Sequence, residues 1–238
     1  MATSTIRERI IAAIVTRLAD IRTAKGYNTE AGLYVNRAKV EPNWDNRPYI
    51  TVFPGEETAT QEYNAVIHTF PVVLMCGQTI GSSDASQLTE YLLGDLIECM
   101  TAIEWTMAYT SGGTYTPVDG NTLTGATSGA TAYIEAVALN TGSWAGGDAA
   151  GTFTLRRMTG TFQAENLNVG ANLNVATISA APTGTRPPAN ATGDLADRVL
   201  YVAGGSTEYP GADDLVVGVS ATFQVDYQTV SGDPYHQP

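Results

Sequence analysis

The sequence predicts an α+β fold class: an antiparallel or mixed sheet flanked by two main helices, with a small all-β domain inserted into it. Three observations in the 238-residue chain predict this. Two segments repeat apolar residues with the helical period, and runs typical of strands lie on both sides of the middle. The middle itself has glycine-rich turns and no helical period. We therefore predict a discontinuous α+β domain from residues 1–110 and 187–238, and an Ig-like or sandwich-like insertion from residues 111–186.

The two helices are the clearest local predictions. Apolar residues recur at steps of three and four between Ile6 and Ile21, and Thr5 with Glu8 fits a capping box at the start. The second helix is predicted over residues 84–103. One of its faces is apolar and includes Leu88, Leu92, Leu96, Cys99 and Ile103.

Strands are predicted between the helices and near the end of the chain. Pro48–Phe53 and Glu62–Cys76 have the composition of strands and are expected to pair as a hairpin. Leu215–Thr229 alternates apolar and polar residues without interruption, which indicates a strand with one face on a core. Because an isolated two-stranded hairpin is marginally stable, the last strands are expected to join the sheet begun by the first ones.

Charge excludes several classes of function. The formal net charge is minus 12, from 12 basic and 24 acidic residues, and no basic block exists. An acidic outer surface disfavours binding to nucleic-acid phosphates. The segment 111–186 carries four acids and three bases, so nearly all of the net charge belongs to the rest of the chain.

The charged residues within Ile6–Ile21 argue against a signal peptide or a membrane span, so we expect the protein to stay in the compartment where it is made.

The sequence contains no recognisable catalytic or metal-binding motif, so we predict no enzyme, no cofactor and no metal site. None of the common nucleophile, phosphate-binding, dinucleotide-binding or metal motifs occurs. We interpret His68 as a strand residue and His236 as part of a terminal tail. The adjacent acids Glu56-Glu57 and Asp213-Asp214 have the residue types of a general acid and base, but acids in turns beside strands usually form a solvated rim.

The order of these elements resembles the tail terminator, or tail-completion, proteins of tailed bacteriophages. The resemblance rests on the first helix, the strand and turn Arg47–Glu56, the long strand before the second helix, and a closing strand that ends in Gly232-Asp-Pro-Tyr235. It covers roughly residues 1–110 and 195–238. The intervening part resembles a β module that recurs in phage virion proteins. The stretches that carry this second likeness are Gly125–Tyr133, Trp144–Asp148, Gly160–Ala164 and Asn168-Val169.

The resemblance implies a structural virion protein located at the head-proximal end of the tail and assembled in the host cytoplasm. Such a protein forms a homo-oligomeric ring, commonly a hexamer, that caps the tail tube and terminates tube polymerisation. Its implied partners are the tail tube protein and the head–tail connector or neck protein, with no membrane involved. DNA would pass through the lumen without specific binding, and the excess negative charge predicts an acidic inner wall.

A closed ring needs two different patches on each subunit. We predict that the patches are the first helix and the acidic edge beside the second predicted strand. The candidate subunit-interface residues are Arg7, Arg9, Arg17, Glu56, Glu57 and Glu62. The same arginines fit equally well as the solvated face of the helix.

Three other readings stay open at this point. One is a different phage neck or tail-tube ring protein. Another is a glycan-binding β module on a helical scaffold, which needs a cluster of exposed aromatics; Tyr133 and Trp144 are the surface aromatics that the insertion offers. The third is a hydrolase, which needs a convergent cleft of carboxylates or histidines.

Overall fold

A computed structural model describes residues 4–37, 48–81, 84–185, 189–190, 193–208 and 215–238, without the side chains at positions 189, 190, 193, 194 and 208. Three sequence predictions lie outside the described residues: Arg47 of the resemblance motif, the acid pair Asp213-Asp214, and the domain boundary between residues 186 and 187.

The helices and strands follow one another in a simple order. The helices are α1 (Ile6–Leu18) and α2 (Ala85–Thr101), with short 3-10 turns at Thr23–Lys25 and Ala31–Leu33. The strands are β1 (Val35–Arg37), β2 (Tyr49–Pro54), β3 (Thr58–Gln61), β4 (Ala65–Thr79), β5 (Glu104–Gly112), β6 (Thr122–Gly125), β7 (Thr131–Thr141), β8 (Ala149–Thr159), β9 (Glu165–Val169), β10 (Asn172–Ile178), β11 (Thr183–Thr185), β12 (Ala189–Asn190), β13 (Gly193–Asp194), β14 (Arg198–Glu208) and β15 (Val216–Val230).

The predicted α+β fold class is wrong. Strands take up 50% of the chain and helices 17%, and the strands form two large sheets rather than one sheet flanked by two main helices. The error has a physical cause. A helix of 13 or 17 residues repeats its apolar period several times and is easily detected, whereas strands rich in Thr, Ala and Gly carry a weak local signal. The prediction therefore gave the helices too much weight.

The chain separates into two compact units. The first comprises Met1–Arg22, Tyr27–Thr101 and Arg186–Pro238, and the second comprises Thr23–Gly26 and Ala102–Thr185.

A six-stranded sheet forms the body of the first unit. Its strand order is β1-β2-β4-β15-β14, and β3 pairs with the first part of β4. β15 runs antiparallel to β4 along its whole length, from Val216 opposite Thr79 to Val230 opposite Ala65. The expectation that the last strands join the first sheet is confirmed. The predicted alternation is also confirmed, because every second residue from Val217 to Tyr227 is at most 2% exposed.

The two helices cover one face of this sheet. The side chain of Thr5 caps α1 by accepting the backbone N–H of Glu8 at 3.2 Å, as predicted. The Glu8 carboxylate does not complete a capping box but binds Arg37 at 2.5 and 2.6 Å. The buried side chains of α1 are Ile6, Ile10, Ile11, Ile14 and Leu18, each at most 2% exposed, and they pack with α2 and the sheet into one core. Burial of a side chain of this size contributes about 1.5–3 kcal/mol.

A seven-stranded sheet makes up the second unit. Its order is β10-β9-β6-β7-β8-β5-β11, and β10 also pairs with β5 through Thr177 and Thr110. Because β10 pairs with both β9 and β5, the pairings form a closed circle of strands around a separate core. That core includes Tyr109, Ile134, Trp144, Phe153, Leu155 and Leu167.

Candidate functional site

The three arginines of α1 bind acceptors of their own chain. Arg7 donates to the carbonyl of Gly55 at 2.7 Å, Arg9 to the carbonyl of Tyr235 at 2.6 Å, and Arg17 to the carbonyl of Cys99 at 2.6 Å. Among the described residues, every arginine donates to at least one acceptor within the chain. These bonds give the predicted interface arginines a role in holding α1 and α2 to the rest of the first unit.

The three predicted interface glutamates lie around β3. Glu56 and Glu62 are exposed at the two ends of this region, whereas Glu57 is half-buried. Two of the six candidate interface residues form an ion pair within the chain, since Arg7 Nε lies 3.2 Å from Glu57 Oε2. Arg9 and Arg17 have other partners, so the structure does not collect the six residues at one place.

Glu57 is the centre of a hydrogen-bonded cluster, which we call the Glu57 cluster: Arg7, Glu57, His68, Tyr227 and Thr229. The Glu57 carboxylate accepts the Tyr227 hydroxyl at 2.7 Å and lies 3.0 Å from His68 Nδ1. His68 Nε2 lies 2.9 Å from the Thr229 hydroxyl, and the imidazole stacks on the Tyr227 ring at 4.6 Å. Burial and then the hydrogen bond to Glu57 raise the pKa of Tyr227, because both disfavour the phenolate.

The order Glu57, His68, Thr229 matches the acid, base and hydroxyl order of a catalytic triad. A nucleophile must be reachable by substrate, and Thr229 is only 3% exposed. The geometry therefore indicates a structural role for the Glu57 cluster, which forms an ordered polar network at the end of the core, next to the start of α1. The partners of His68 are 11 and 161 residues away in sequence, so no local pattern predicts this cluster.

Glu57→Gln is expected to lower the free energy of unfolding by about 1–2 kcal/mol, because charge-assisted bonds to Arg7 and Tyr227 are weakened while the shape is kept. The measurement is urea denaturation at neutral pH. Glu56→Gln is the matched control, since Glu56 is exposed in the neighbouring position. Equal stability of the two variants would show that the cluster contributes nothing to folding.

The predicted surface aromatics of the insertion occupy different environments. Trp144 is 9% exposed and stacks on Tyr109 at 5.2 Å, so nearly all of its side chain belongs to the core of the second unit. Tyr133 is half-buried, and the guanidinium groups of Arg156 and Arg157 lie 5.7 and 5.6 Å from its ring centre. Cation–π contacts with neighbouring arginines therefore occupy Tyr133.

A carboxylate holds the turn that follows β6. Glu165 accepts the backbone N–H groups of Thr127 and Ser128, at 2.7 and 2.8 Å, and the Ser128 hydroxyl at 2.6 Å. A Cβ atom at Gly125 would lie 2.5 Å from the Glu165 carboxylate, which explains the glycine there. Burial by itself raises the pKa of Glu165, but the hydrogen bonds to Ser128, Thr127 and Gln163 outweigh it and the net pKa is lowered.

The Glu165 turn is expected to weaken in acid. Because the pKa of the folded state lies below that of the unfolded state, the carboxylate contributes stability above about pH 4.5, and this is lost as the pH falls through the folded pKa. Glu165→Gln should be less stable at pH 7 by about 1–2 kcal/mol and should lose less stability on acidification. Urea denaturation between pH 3 and 7 would measure this; parallel curves for the two proteins would contradict it.

A shallow groove of about 450 Å³ lies on the second unit. Its walls are mainly apolar and include Val118, Val137, Leu139 and the edge of Trp144, with Asp119 as the one charged residue of the lining. The polar side chains of its lining are Thr116 and Asp119.

The margins of the six-stranded sheet are its most exposed features. β14 is an eleven-residue strand at one margin, and β15 is its partner among the described strands. Its exposed side chains include Leu200, Tyr201 and Val202. On the side of β4 that faces away from β15, all four residues of β3 are exposed. The sequence predicts a strand over Arg198–Val202, the first part of β14, but its edge position depends on which strands pair.

In the described part of the chain, no group of three or more His, Cys, Asp or Glu side chains is placed to hold a metal ion. Neither of the two described helices is long and apolar enough to cross a membrane. No known protein family matches the chain, and a search of curated proteins finds no match.

Proposed function

We propose that the protein is a structural virion protein that forms a ring at the head-proximal end of a phage tail tube, terminates tube polymerisation and joins the tail to the head connector. The order of sequence elements supports the assignment to the tail terminators. The observation that carries the proposal is that β14 and β3 are unlike edge strands of the six-stranded sheet, each with one partner among the described strands, because a ring needs two different contact surfaces on each subunit.

Charge supports the proposed passage of DNA. The described arginines bind acceptors within the chain, while acids such as Glu56, Glu62 and Glu90 are exposed. A ring built from such subunits has a surplus of negative charge and repels the DNA backbone. DNA in the channel therefore stays mobile.

The test is the size and shape of the purified protein, measured by light scattering and negative-stain imaging, together with its effect on tube growth. We expect a ring with a central hole that binds one end of assembled tail tubes and stops their elongation. A protein that stays monomeric in the presence of tubes, or that leaves tube length unchanged, contradicts the proposal. DNA retardation by the ring at 0.15 M salt would contradict the acidic channel.

A further inference from the structure

The edge strand β14 has few of the usual protections against pairing with another chain. Exposed edge strands are commonly blocked by charged side chains, by proline, by shortness or by bulges that twist the edge away, and of these β14 has bulges. β14 has eleven residues, and no charged residue or proline lies between Arg198 and Glu208. Its exposed fractions are 40% at Leu200, 37% at Tyr201 and 58% at Val202. Such a strand is a template for a further strand.

β14 has two bulges, at Tyr201/Ala203 and at Ser206/Glu208, and the first of them leaves an apolar side chain exposed. The register with β15 shifts between Tyr201 and Ala203, so Val202 has no partner across the ladder. A bulge bends the strand and redirects a side chain but covers neither. The most exposed apolar residue of the strand is therefore the one at the bulge.

β3 offers an edge of complementary character on the side of β4 that faces away from β15. β3, Thr58–Gln61, is uncharged, all four of its residues are exposed, and its partner among the described strands is β4. Two acids flank it, Glu57 and Glu62. Arg198, at the start of β14, pairs with Asp226 but keeps 54% of its side chain exposed. Whether pairing is parallel or antiparallel, Arg198 of one copy would lie near one of these acids in another.

We propose that β14 of one copy pairs with β3 of the next copy, so that the six-stranded sheet continues from subunit to subunit. The proposal rests on the proposed ring and names the surface through which the ring forms. A contact between two different edges, one from each neighbouring subunit, can repeat around a rotation axis. When the ring of subunits closes, every β14 edge and every β3 edge is paired. Pairing of β14 with β14 would instead close a two-fold dimer and leave every β3 edge open.

Cysteine crosslinking tests the pairing directly. The variants are Val202→Cys, Thr60→Cys and the double variant, each treated with a bis-maleimide. The native thiols should stay unreactive, because Cys76 and Cys99 are 3% and 0% exposed and burial, with a smaller effect of Asp95, raises the pKa of Cys76 to about 12. We expect a ladder of covalent oligomers from the double variant and only monomers from the single ones. Dimers from Val202→Cys alone, or no ladder from the double variant, would overturn the proposal.

Charged substitutions give an independent readout. Val202→Lys and Thr60→Lys should each weaken self-association by about tenfold or more, as measured by light scattering over a dilution series. Val118→Lys is the matched control, since Val118 is 52% exposed and lies in the second unit. Circular dichroism verifies that each variant is folded. Unchanged association of both edge variants would overturn the strand pairing.

The outcomes separate this inference from the proposed function. A wild-type ring that caps tubes but gives no ladder from the double variant would leave the function standing and refute the pairing. Open chains linked between positions 60 and 202, without a ring or tube capping, would support the pairing and refute the function.

Discussion

Asp95→Ala is expected to lower the free energy of unfolding by about 3 kcal/mol. Asp95 lies in α2 and is fully buried. Its carboxylate accepts the backbone N–H of Thr29 at 2.8 Å, the Thr29 hydroxyl at 2.8 Å and the side-chain amide of Asn28 at 2.8 Å. Removing the carboxylate leaves the backbone N–H and the hydroxyl of Thr29, which is 3% exposed, without this acceptor, whereas the exposed Asn28 amide can bind water. Each unsatisfied buried polar group costs about 1–3 kcal/mol.

Urea denaturation measures this loss, and hydrogen exchange at Asn28 and Thr29 locates it. Glu90→Ala is the control, because Glu90 is an exposed acid on the same helix and its removal should change stability by less than about 0.5 kcal/mol. If Asp95→Ala were as stable as this control, the carboxylate would not hold the loop. Asp95→Asn should lose less than Asp95→Ala, since an amide oxygen still accepts some of these bonds.

Phe153→Ala is expected to destabilise the second unit by about 3–5 kcal/mol, the usual cost of removing a buried aromatic ring. Phe153 is 0% exposed on β8 and stacks on Tyr109 with ring centres 4.2 Å apart. Tyr109 in turn stacks on Trp144 at 5.2 Å. The missing ring would leave a cavity beneath this stack, which the strands on either side of β8 cannot fill.

Thermal unfolding followed by tryptophan fluorescence checks this prediction, because Trp144 reports on the same stack. Leu173→Ala is the control, since Leu173 is 70% exposed on β10 and its side chain packs against little. We expect a lower midpoint for Phe153→Ala and an unchanged one for Leu173→Ala. A wild-type midpoint in Phe153→Ala would mean that the stack does not hold the unit together.

The turn after β6 in the second unit depends on a residue that is distant in the sequence. The stretch Gly125–Tyr133, one of those that resemble a phage virion β module, forms the end of β6, a turn and the start of β7. The acceptor of that turn, Glu165, follows nearly forty residues later, on a different strand. No period or spacing links the turn to this carboxylate, so the sequence does not predict the residue that holds it.

The arginines predicted to lie at a subunit interface have acceptors that a local sequence pattern does not identify. Arg7, Arg9 and Arg17 stand out on the helical wheel as charged positions beside an apolar stripe, which is also the pattern of a solvated face. Their acceptors are carbonyl groups at Gly55, Tyr235 and Cys99, and the nearest of these is 48 residues away. Charge reversal at Arg9 and Arg17 would therefore disturb the folding of each subunit as well as any contact between subunits.

The sequence by itself determined where α1 and α2 form, which face of each is buried, and the alternation of β15. These properties depend on residues three, four or two positions apart, and such periods can be read from the chain. Only the tertiary structure decided that strands dominate the fold, that Trp144 is buried, that Glu57 joins His68, and that β14 and β3 are edge strands. Those results depend on which distant segments pair, and pairing is selected by the packing of the whole core rather than by any short stretch.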